Sequence, residues 1–93
     1  MKGGSMHVKN ESNRQLSVSI DHWGKDGDTS WFSIAHGKSE SWDRSDERGF
    51  VMAVRLGGEE KPYYILSDSS IVIYDDRVTD DTKVIKPATD RYK

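Results

Sequence analysis

Hydrophobic and polar residues alternate from position 16 to position 20, so that Leu16, Val18 and Ile20 share one face of an extended chain and two serines share the other. This period of two predicts a β-strand with one buried face. The most apolar run, residues 50–56, is bounded by glycines, and we expect it to form a central strand that is buried on both faces. Shorter runs of strand-forming residues lie at 6–9, 31–35, 40–43, 61–66, 71–74 and 83–86.

Clusters of turn-forming residues separate these runs at intervals of about 8–12 residues, and no segment keeps a helical period. Residues 10–14 are predicted to fold the first strand back onto the second as a hairpin. Residues 57–60, Gly-Gly-Glu-Glu, are predicted to turn another hairpin after the run 50–56. The sequence therefore predicts an all-β fold, a small antiparallel β-sandwich of about seven to eight strands, with a small barrel as the alternative.

The composition predicts a single domain with a thin core. The chain has 93 residues, of which 33% are hydrophobic and 32% are charged. Because so polar a chain needs its bulky side chains inside, we expect Trp31, Trp42 and Phe50 in the core. A Gly-Gly-Ser stretch before a second methionine predicts that residues 1–5 are a cloning remnant and that 6–93 form the domain.

The distribution of charged and apolar residues argues against nucleic-acid binding and against a membrane-spanning helix. A formal net charge of −2 and basic residues scattered singly among acids argue against nucleic-acid binding. No apolar run approaches the ~20 residues that a membrane-spanning helix needs, and the start of the chain lacks the apolar segment of a signal peptide. We expect a soluble protein that is not transmembrane, and that is cytoplasmic or secreted without a recognisable signal peptide.

No pattern typical of a catalytic site is present in the sequence. His7, His22 and His36 do not have the spacing of a metalloprotease motif, no serine lies in a nucleophile elbow, and the chain has no cysteine. An enzyme would have to depend on carboxylates alone, and a small sandwich leaves little room for a deep cleft. We therefore predict that the protein is not an enzyme and has neither catalytic residues nor a cofactor.

Acidic residues concentrate in the predicted loops, where calcium sites are usually found. None of them has the spacing of an EF-hand, and aspartate is common in turns for reasons of backbone geometry. We therefore expect solvated turn residues and no metal site. The acids in question are Asp26, Asp28, Asp43, Asp46, Glu47, Asp75, Asp76, Asp80 and Asp81.

The aromatic residues supply the candidate binding surface. If Leu16, Val18 and Ile20 face inward, Trp23 faces outward beside a loop rich in glycine and aspartate, which suits stacking on a sugar or contact with lipid. Of two adjacent tyrosines on a strand, one must be exposed. The predicted ligand-binding residues are Trp23, Lys25, Asp26, Asp28, Asp43, Arg44, Asp46, Tyr63 and Tyr64.

Two segments resemble those of the aegerolysins, small β-sandwich proteins of fungi and bacteria. They are Trp-Gly-Lys-Asp-Gly-Asp at 23–28 and Arg-Ser-Asp-Glu-Arg-Gly-Phe at 44–50, where a polar crossing leads into a long apolar strand. The resemblance implies a non-enzymatic protein that recognises membrane lipids or surface glycans, as one component of a defensive cytolytic system.

Two hypotheses for the function follow from the sequence. The first is a recognition module for surface glycans or membrane lipid headgroups, with Trp23, the 24–29 loop and the 43–48 loop as the contact surface. The second is a domain that binds another protein or itself, because a thin core is often supplemented by burying a sheet face in a homodimer. The sequence alone does not choose between them.

Overall fold

The computed structural model describes residues 4–20, 31–44 and 49–88, and this part of the chain forms nine strands and no α-helix. The strands are β1 (Gly4–Asn10), β2 (Leu16–Ile20), β3 (Phe32–Ile34), β4 (Ser39–Arg44), β5 (Phe50–Leu56), β6 (Glu59–Ile65), β7 (Ser70–Ile73), β8 (Val78–Asp80) and β9 (Lys83–Ile85).

The strands form two sheets packed into a sandwich, which confirms the predicted fold class. One sheet has the order β4-β1-β7-β8-β9 and the other has the order β3-β2-β5-β6. Strands β1 and β7 run parallel, and the other pairings are antiparallel. The described residues contain one strand more than the predicted maximum, because β8 has three residues and is too short to show an alternating pattern.

Alternate side chains of the strands fill the space between the sheets. Leu16, Val18 and Ile20 are buried as predicted, and so are Trp42 and Phe50. In the described residues the apolar core consists of Met6, Val8, Leu16, Val18, Ile20, Ile34, Trp42, Phe50, Met52, Val54, Tyr63, Ile65, Ile71, Ile73 and Val78.

Two predictions about the strands were wrong. Strand β5 lies in the middle of its sheet, between β2 and β6, but only one of its faces is buried: Val51 and Arg55 are exposed. Strands β1 and β2 do not form a hairpin, because they belong to different sheets. The turn that follows β1 carries the chain across the sandwich instead of back along the same sheet.

The predicted hairpin between β5 and β6 is confirmed. Leu56 pairs with Glu59, so two residues make the turn. Gly57 has a φ of 63° and Gly58 a φ of 85°. A two-residue hairpin turn with positive φ at both positions matches the right-handed twist of the strands and favours glycine.

Buried Asn10 joins two connections, 11–15 and 35–38, at one end of the sandwich. Its Nδ2 donates to the carbonyl oxygens of Arg14 at 2.8 Å and Ile34 at 2.7 Å. Its Oδ1 accepts from the backbone N–H of Ser12 at 2.8 Å and from the Ser12 hydroxyl at 2.6 Å. The side-chain amide therefore uses both donors and both acceptor positions, which is what a polar group needs when it is buried.

The backbone of Asn10 is also held. Its N–H donates to the Lys38 carbonyl at 2.9 Å, its carbonyl accepts from the Gly37 N–H at 2.8 Å, and Nδ1 of His36 donates to the Ser12 carbonyl. We call these contacts, together with those of the side chain, the Asn10 network. Asn10-Glu11-Ser12 has the sequence of a glycosylation site, but in the folded domain Asn10 is fully buried and its amide is bonded twice.

The two ends of the sandwich carry different connections. One end, which we call the turn end, carries four short connections: 11–15, 35–38, 57–58 and 74–77. At the opposite end β2 and β4 finish and β5 begins, and we call it the loop end.

Candidate functional site

The structure places the described members of the predicted site on both sheets. Asp43 and Arg44 lie on β4, at the edge of the five-stranded sheet, whereas Tyr63 and Tyr64 lie on β6, at the edge of the four-stranded sheet. The remaining predicted residues lie outside the described part of the chain; they are Trp23, Lys25, Asp26, Asp28 and Asp46.

Asp43 is part of a polar ladder on the outer face of the five-stranded sheet. Ser5 pairs with Asp43 in the strand register, and its hydroxyl donates to Oδ1 of Asp43 at 2.7 Å. Strand β1, which contains Ser5, begins at Gly4, two residues before the predicted start of the domain. The outer faces of the two sheets point away from each other, so Asp43 and Tyr64 are not brought together.

The two tyrosines have opposite environments, as a strand requires. Tyr63 is 6% exposed and belongs to the core, so it is not part of the outer surface, and its assignment as a ligand-binding residue stays a prediction. Tyr64 is 57% exposed. Its ring packs over Gly49, where a β-carbon would collide with the ring and the hydroxyl. Gly49 also has a φ of 92°, so the backbone and the packing both favour glycine there.

Tyr64 is the centre of an exposed apolar cluster. It pairs directly with Val51 on β5, which is 43% exposed, and Leu66, the residue that follows the end of β6, is 46% exposed. We call Val51, Tyr64 and Leu66 the outer patch. It lies on the outer face of the four-stranded sheet, towards the loop end.

Small residues continue this face next to the outer patch. Ser19, Ala53 and Pro62 form one row across β2, β5 and β6, and all three are half-buried. Their side chains are short or compact, so they extend only a short distance from the backbone of the sheet. The ring of Tyr64 projects farther into the solvent. A flat molecule or a second sheet can therefore approach the backbone closely beside the tyrosine ring.

Trp31 lies on the same outer face, which makes its predicted core position wrong. It is 37% exposed, and the guanidinium of Arg55 lies 3.8 Å from the centre of its ring. Nε of Arg55 also donates to Oε1 of Glu60 at 3.0 Å. The inward position is taken by the next residue, Phe32, whose ring meets Trp42 edge-on with centroids 5.6 Å apart.

Three exposed residues were missed at the level of sequence: Val51, Leu66 and Trp31. The signal that could have identified two of them is the alternation of buried and exposed positions along a strand. Val51 lies one position from buried Phe50, and Leu66 lies one position from buried Ile65. Applying the alternation of β2 to β5 and β6 would have placed both residues on the outer face.

A serine and a histidine also meet on the five-stranded sheet. Nδ1 of His7 and Oγ of Ser41 are 2.8 Å apart, on an exposed surface. This is the distance of a nucleophile and its base. Within residues 4–20, 31–44 and 49–88, however, no third side chain contacts the other ring nitrogen of His7, and the pair lies on an open face.

Three of the predicted loop acids accept hydrogen bonds from donors in the described residues. Asp75 accepts from the Asn13 N–H at 3.0 Å, Asp76 pairs with Arg77 at 2.9 Å, and Asp80 accepts from the Ser69 hydroxyl at 2.8 Å. No group of three or more histidine, aspartate or glutamate side chains in the described residues is placed to hold a metal ion.

Comparisons of the chain with protein-family models, with curated proteins and with solved structures gave no match. The resemblance to aegerolysins therefore stays a prediction. In the described part of the chain, no helix has the length and the apolar character that crossing a membrane requires.

Proposed function

We propose that the protein is a non-enzymatic recognition module that binds membrane lipid headgroups through the outer face of its four-stranded sheet, with the outer patch as the centre of contact. The observation that carries this proposal is the exposure of three large apolar side chains side by side in so polar a chain. Exposed apolar clusters mark interaction surfaces, because they cost free energy as long as they face water.

The chemistry of the outer patch favours a lipid surface over a glycan. Tyr64 has an apolar ring and a polar tip, which suits the boundary between headgroups and acyl chains. Val51 and Leu66 add aliphatic surface, which favours insertion and offers no hydrogen bond to a sugar hydroxyl. The resemblance to aegerolysins supports the same class of ligand. It also implies one component of a cytolytic system, so we expect the isolated protein to bind vesicles without causing leakage.

Sedimentation with vesicles tests the proposal. The protein should pellet with vesicles of mixed phosphatidylcholine, sphingomyelin and sterol, and the double variant Val51→Ser with Tyr64→Ala should lose at least about tenfold in affinity, since central anchors of an interface are often worth ~2 kcal/mol or more. Val84→Ser is the matched control, because Val84 is 62% exposed on the other sheet.

The control should bind as the unaltered protein does. Equal losses in both variants, or no pelleting with any vesicle, would contradict a lipid site at the outer patch. A glycan array probed in parallel covers the other ligand class: binding to glycans that is lost in the Tyr64→Ala variant, without vesicle binding, would replace the lipid by a sugar.

A second candidate function is self-association through the same face. The row of Ser19, Ala53 and Pro62 leaves room for the sheet of a second copy, and two sheets pack face to face at about 10 Å. Sedimentation velocity distinguishes the two functions. A dimer that the Val51→Ser and Tyr64→Ala double variant converts to a monomer would favour self-association, whereas a monomer at all concentrations leaves the face available for lipid.

A further inference from the structure

A cleft opens between the two sheets at the turn end. Its volume is about 470 Å³, within the range of about 300–1,000 Å³ that is usual for small-molecule sites. The sheets separate here because the inward positions of β6 near the hairpin turn, Glu59 and Lys61, carry charged side chains that cannot close over the core. The cleft is lined by Asn13, Arg14, Val54, Leu56, Gly57, Glu59, Lys61, Tyr63, Ile73, Tyr74, Asp75, Asp76, Arg77 and Val78.

The floor of the cleft is apolar and comes from both sheets. Val54 and Tyr63 belong to the four-stranded sheet, and Ile73 and Val78 belong to the five-stranded sheet; all four are part of the core. Leu56 is half-buried beside them. A hydrocarbon group that enters the cleft would therefore extend the core and lose contact with water, which is favourable.

The rim carries three basic and three acidic residues, and five of these six charges are engaged. Glu59 pairs with Lys61 at 3.6 Å and Asp76 pairs with Arg77 at 2.9 Å. The remaining acid, Asp75, accepts from the backbone N–H of Asn13. Within the described residues, the guanidinium of Arg14 is the one rim charge with neither an ion pair nor a hydrogen bond.

Arg14 is nevertheless held in a defined place. Its carbonyl accepts from Asn10 Nδ2 at 2.8 Å and from the Ser12 hydroxyl at 2.9 Å, which ties its backbone to the Asn10 network. Nη1 of Arg14 lies 3.3 Å from the position that a β-carbon at Gly57 would take, so the guanidinium packs over the hairpin turn. Among the residues that the structure describes, Arg14 is thus a cation with a fixed backbone and no anionic partner, positioned at the mouth of a cleft with an apolar floor.

We propose that this cleft is a binding site for a small amphipathic carboxylate. The anionic group pairs with Arg14, and the hydrocarbon part lies on the floor formed by Val54, Leu56 and Tyr63. A guanidinium donates two charge-assisted hydrogen bonds to the two oxygens of a carboxylate, which fixes the orientation of the ligand. The site is separate from the outer patch and does not depend on the function proposed for that patch.

NMR titration of the full chain with sodium octanoate, kept below its micellar concentration, tests this site. The backbone amides of Gly57, Asp75, Asp76 and Val78 should shift, and 1-octanol, which has the same chain length without the charge, should bind about tenfold more weakly because a charge-assisted hydrogen bond is lost. Arg14→Gln should lower the affinity for octanoate to that for octanol, and Arg14→Lys should restore part of it.

Lys9→Gln is the matched control, since it removes the same charge from an exposed residue of β1 outside the cleft. It should leave octanoate binding unchanged. Arg14→Gln keeps the carbonyl that Asn10 and Ser12 bind, and a thermal melt confirms that the variant is folded. The proposal is overturned if octanoate and octanol bind alike, if Lys9→Gln weakens binding as much as Arg14→Gln, if the shifts centre on Val51 and Tyr64, or if millimolar octanoate shifts no amide.

Discussion

The Asn10 network and the outer patch both reverse the usual distribution of residues, one by burying a polar side chain and the other by exposing apolar ones. Asn10 is completely buried, and all of its side-chain donors and acceptors are bonded within the chain. The apolar surface of Val51, Tyr64 and Leu66 is in large part exposed to water.

This difference separates a feature that contributes to folding from one that is a candidate for binding. A buried polar group whose bonds are all made within the protein needs no external partner, and it specifies how the turns of the fold are arranged. An exposed apolar cluster adds little to folding, because its side chains stay largely in water after the chain folds. We therefore expect changes in the Asn10 network to affect stability and changes in the outer patch to affect binding.

Asn10→Ala should have the largest effect on stability. The variant leaves the carbonyl oxygen of Ile34 and the backbone N–H of Ser12 without their partner, and buried groups left unsatisfied cost ~1–3 kcal/mol each when water cannot reach them. We expect a loss of about 3 kcal/mol in the free energy of unfolding, measured by urea denaturation.

Asn13→Ala is the control for this measurement, because Asn13 lies in the same turn with an exposed side chain and uses its backbone N–H to bind Asp75. Surface changes of this kind usually stay within ~0.5 kcal/mol. Similar losses in the two variants would mean that the turn tolerates the missing amide and that the network does not hold the turn end together.

Gly49→Ala should have the next largest effect, and it connects stability to the position of Tyr64. Alanine is strained at the φ of 92° found here, and its β-carbon would collide with the Tyr64 ring. We expect a loss of about 2 kcal/mol, falling to about 1 kcal/mol in the Tyr64→Ala background, where only the backbone strain remains. Additive losses in this double-mutant cycle, measured by denaturation, would show that the ring moves away freely.

The sequence predicted the interior of the sandwich better than its connections. The parity of Leu16, Val18 and Ile20 placed β2 correctly because the alternation of apolar residues is a local signal. The route of the chain after β1 depends on the bond from Asn10 to Ile34, 24 residues away. No local pattern contains that contact, so turn-forming residues at 10–14 were interpreted as an ordinary hairpin.

The candidate site was predictable only in part. Adjacent tyrosines require one exposed ring, but which of them is exposed depends on the register of Met52 with Tyr63, which places Tyr63 on the core side. Trp31 was placed in the core from its size alone. Strand parity decides otherwise, because Phe32 takes the inward position against Trp42. The large size of aromatic side chains predicts that most of them are buried. The alternation of inward and outward positions along a strand predicts which of two neighbouring aromatic residues is the buried one.

Changes in the outer patch should affect stability less than either variant above. The double variant Val51→Ser with Tyr64→Ala should stay within about 1 kcal/mol of the unaltered protein, because both side chains keep large exposed fractions in the fold. Urea denaturation of the same samples used for vesicle sedimentation provides this measurement. A loss as large as that of Asn10→Ala would identify the patch as part of the structure, and its exposure would no longer argue for binding.

Calcium should have the smallest effect of all. Asp75, Asp76 and Asp80 already accept from Asn13, Arg77 and Ser69, so binding an ion would break these contacts. Specific binding at a hundredfold excess over Kd would add about 2.7 kcal/mol, which corresponds to a rise in Tm of roughly 10 °C or more for a domain of this size.

We expect millimolar calcium to shift Tm by less than about 1 °C, the same as magnesium, since surface acids give only weak and unselective screening. Differential scanning fluorimetry with each ion provides the comparison. A rise in Tm of several degrees with calcium but not with magnesium would contradict this prediction, because it would show that oxygen ligands bind the calcium ion specifically. If the same rise persisted in the Asp75→Asn and Asp80→Asn variants, those ligands would come from the other loop acids, among them the acids at 26, 28, 46 and 47, which the structure does not describe.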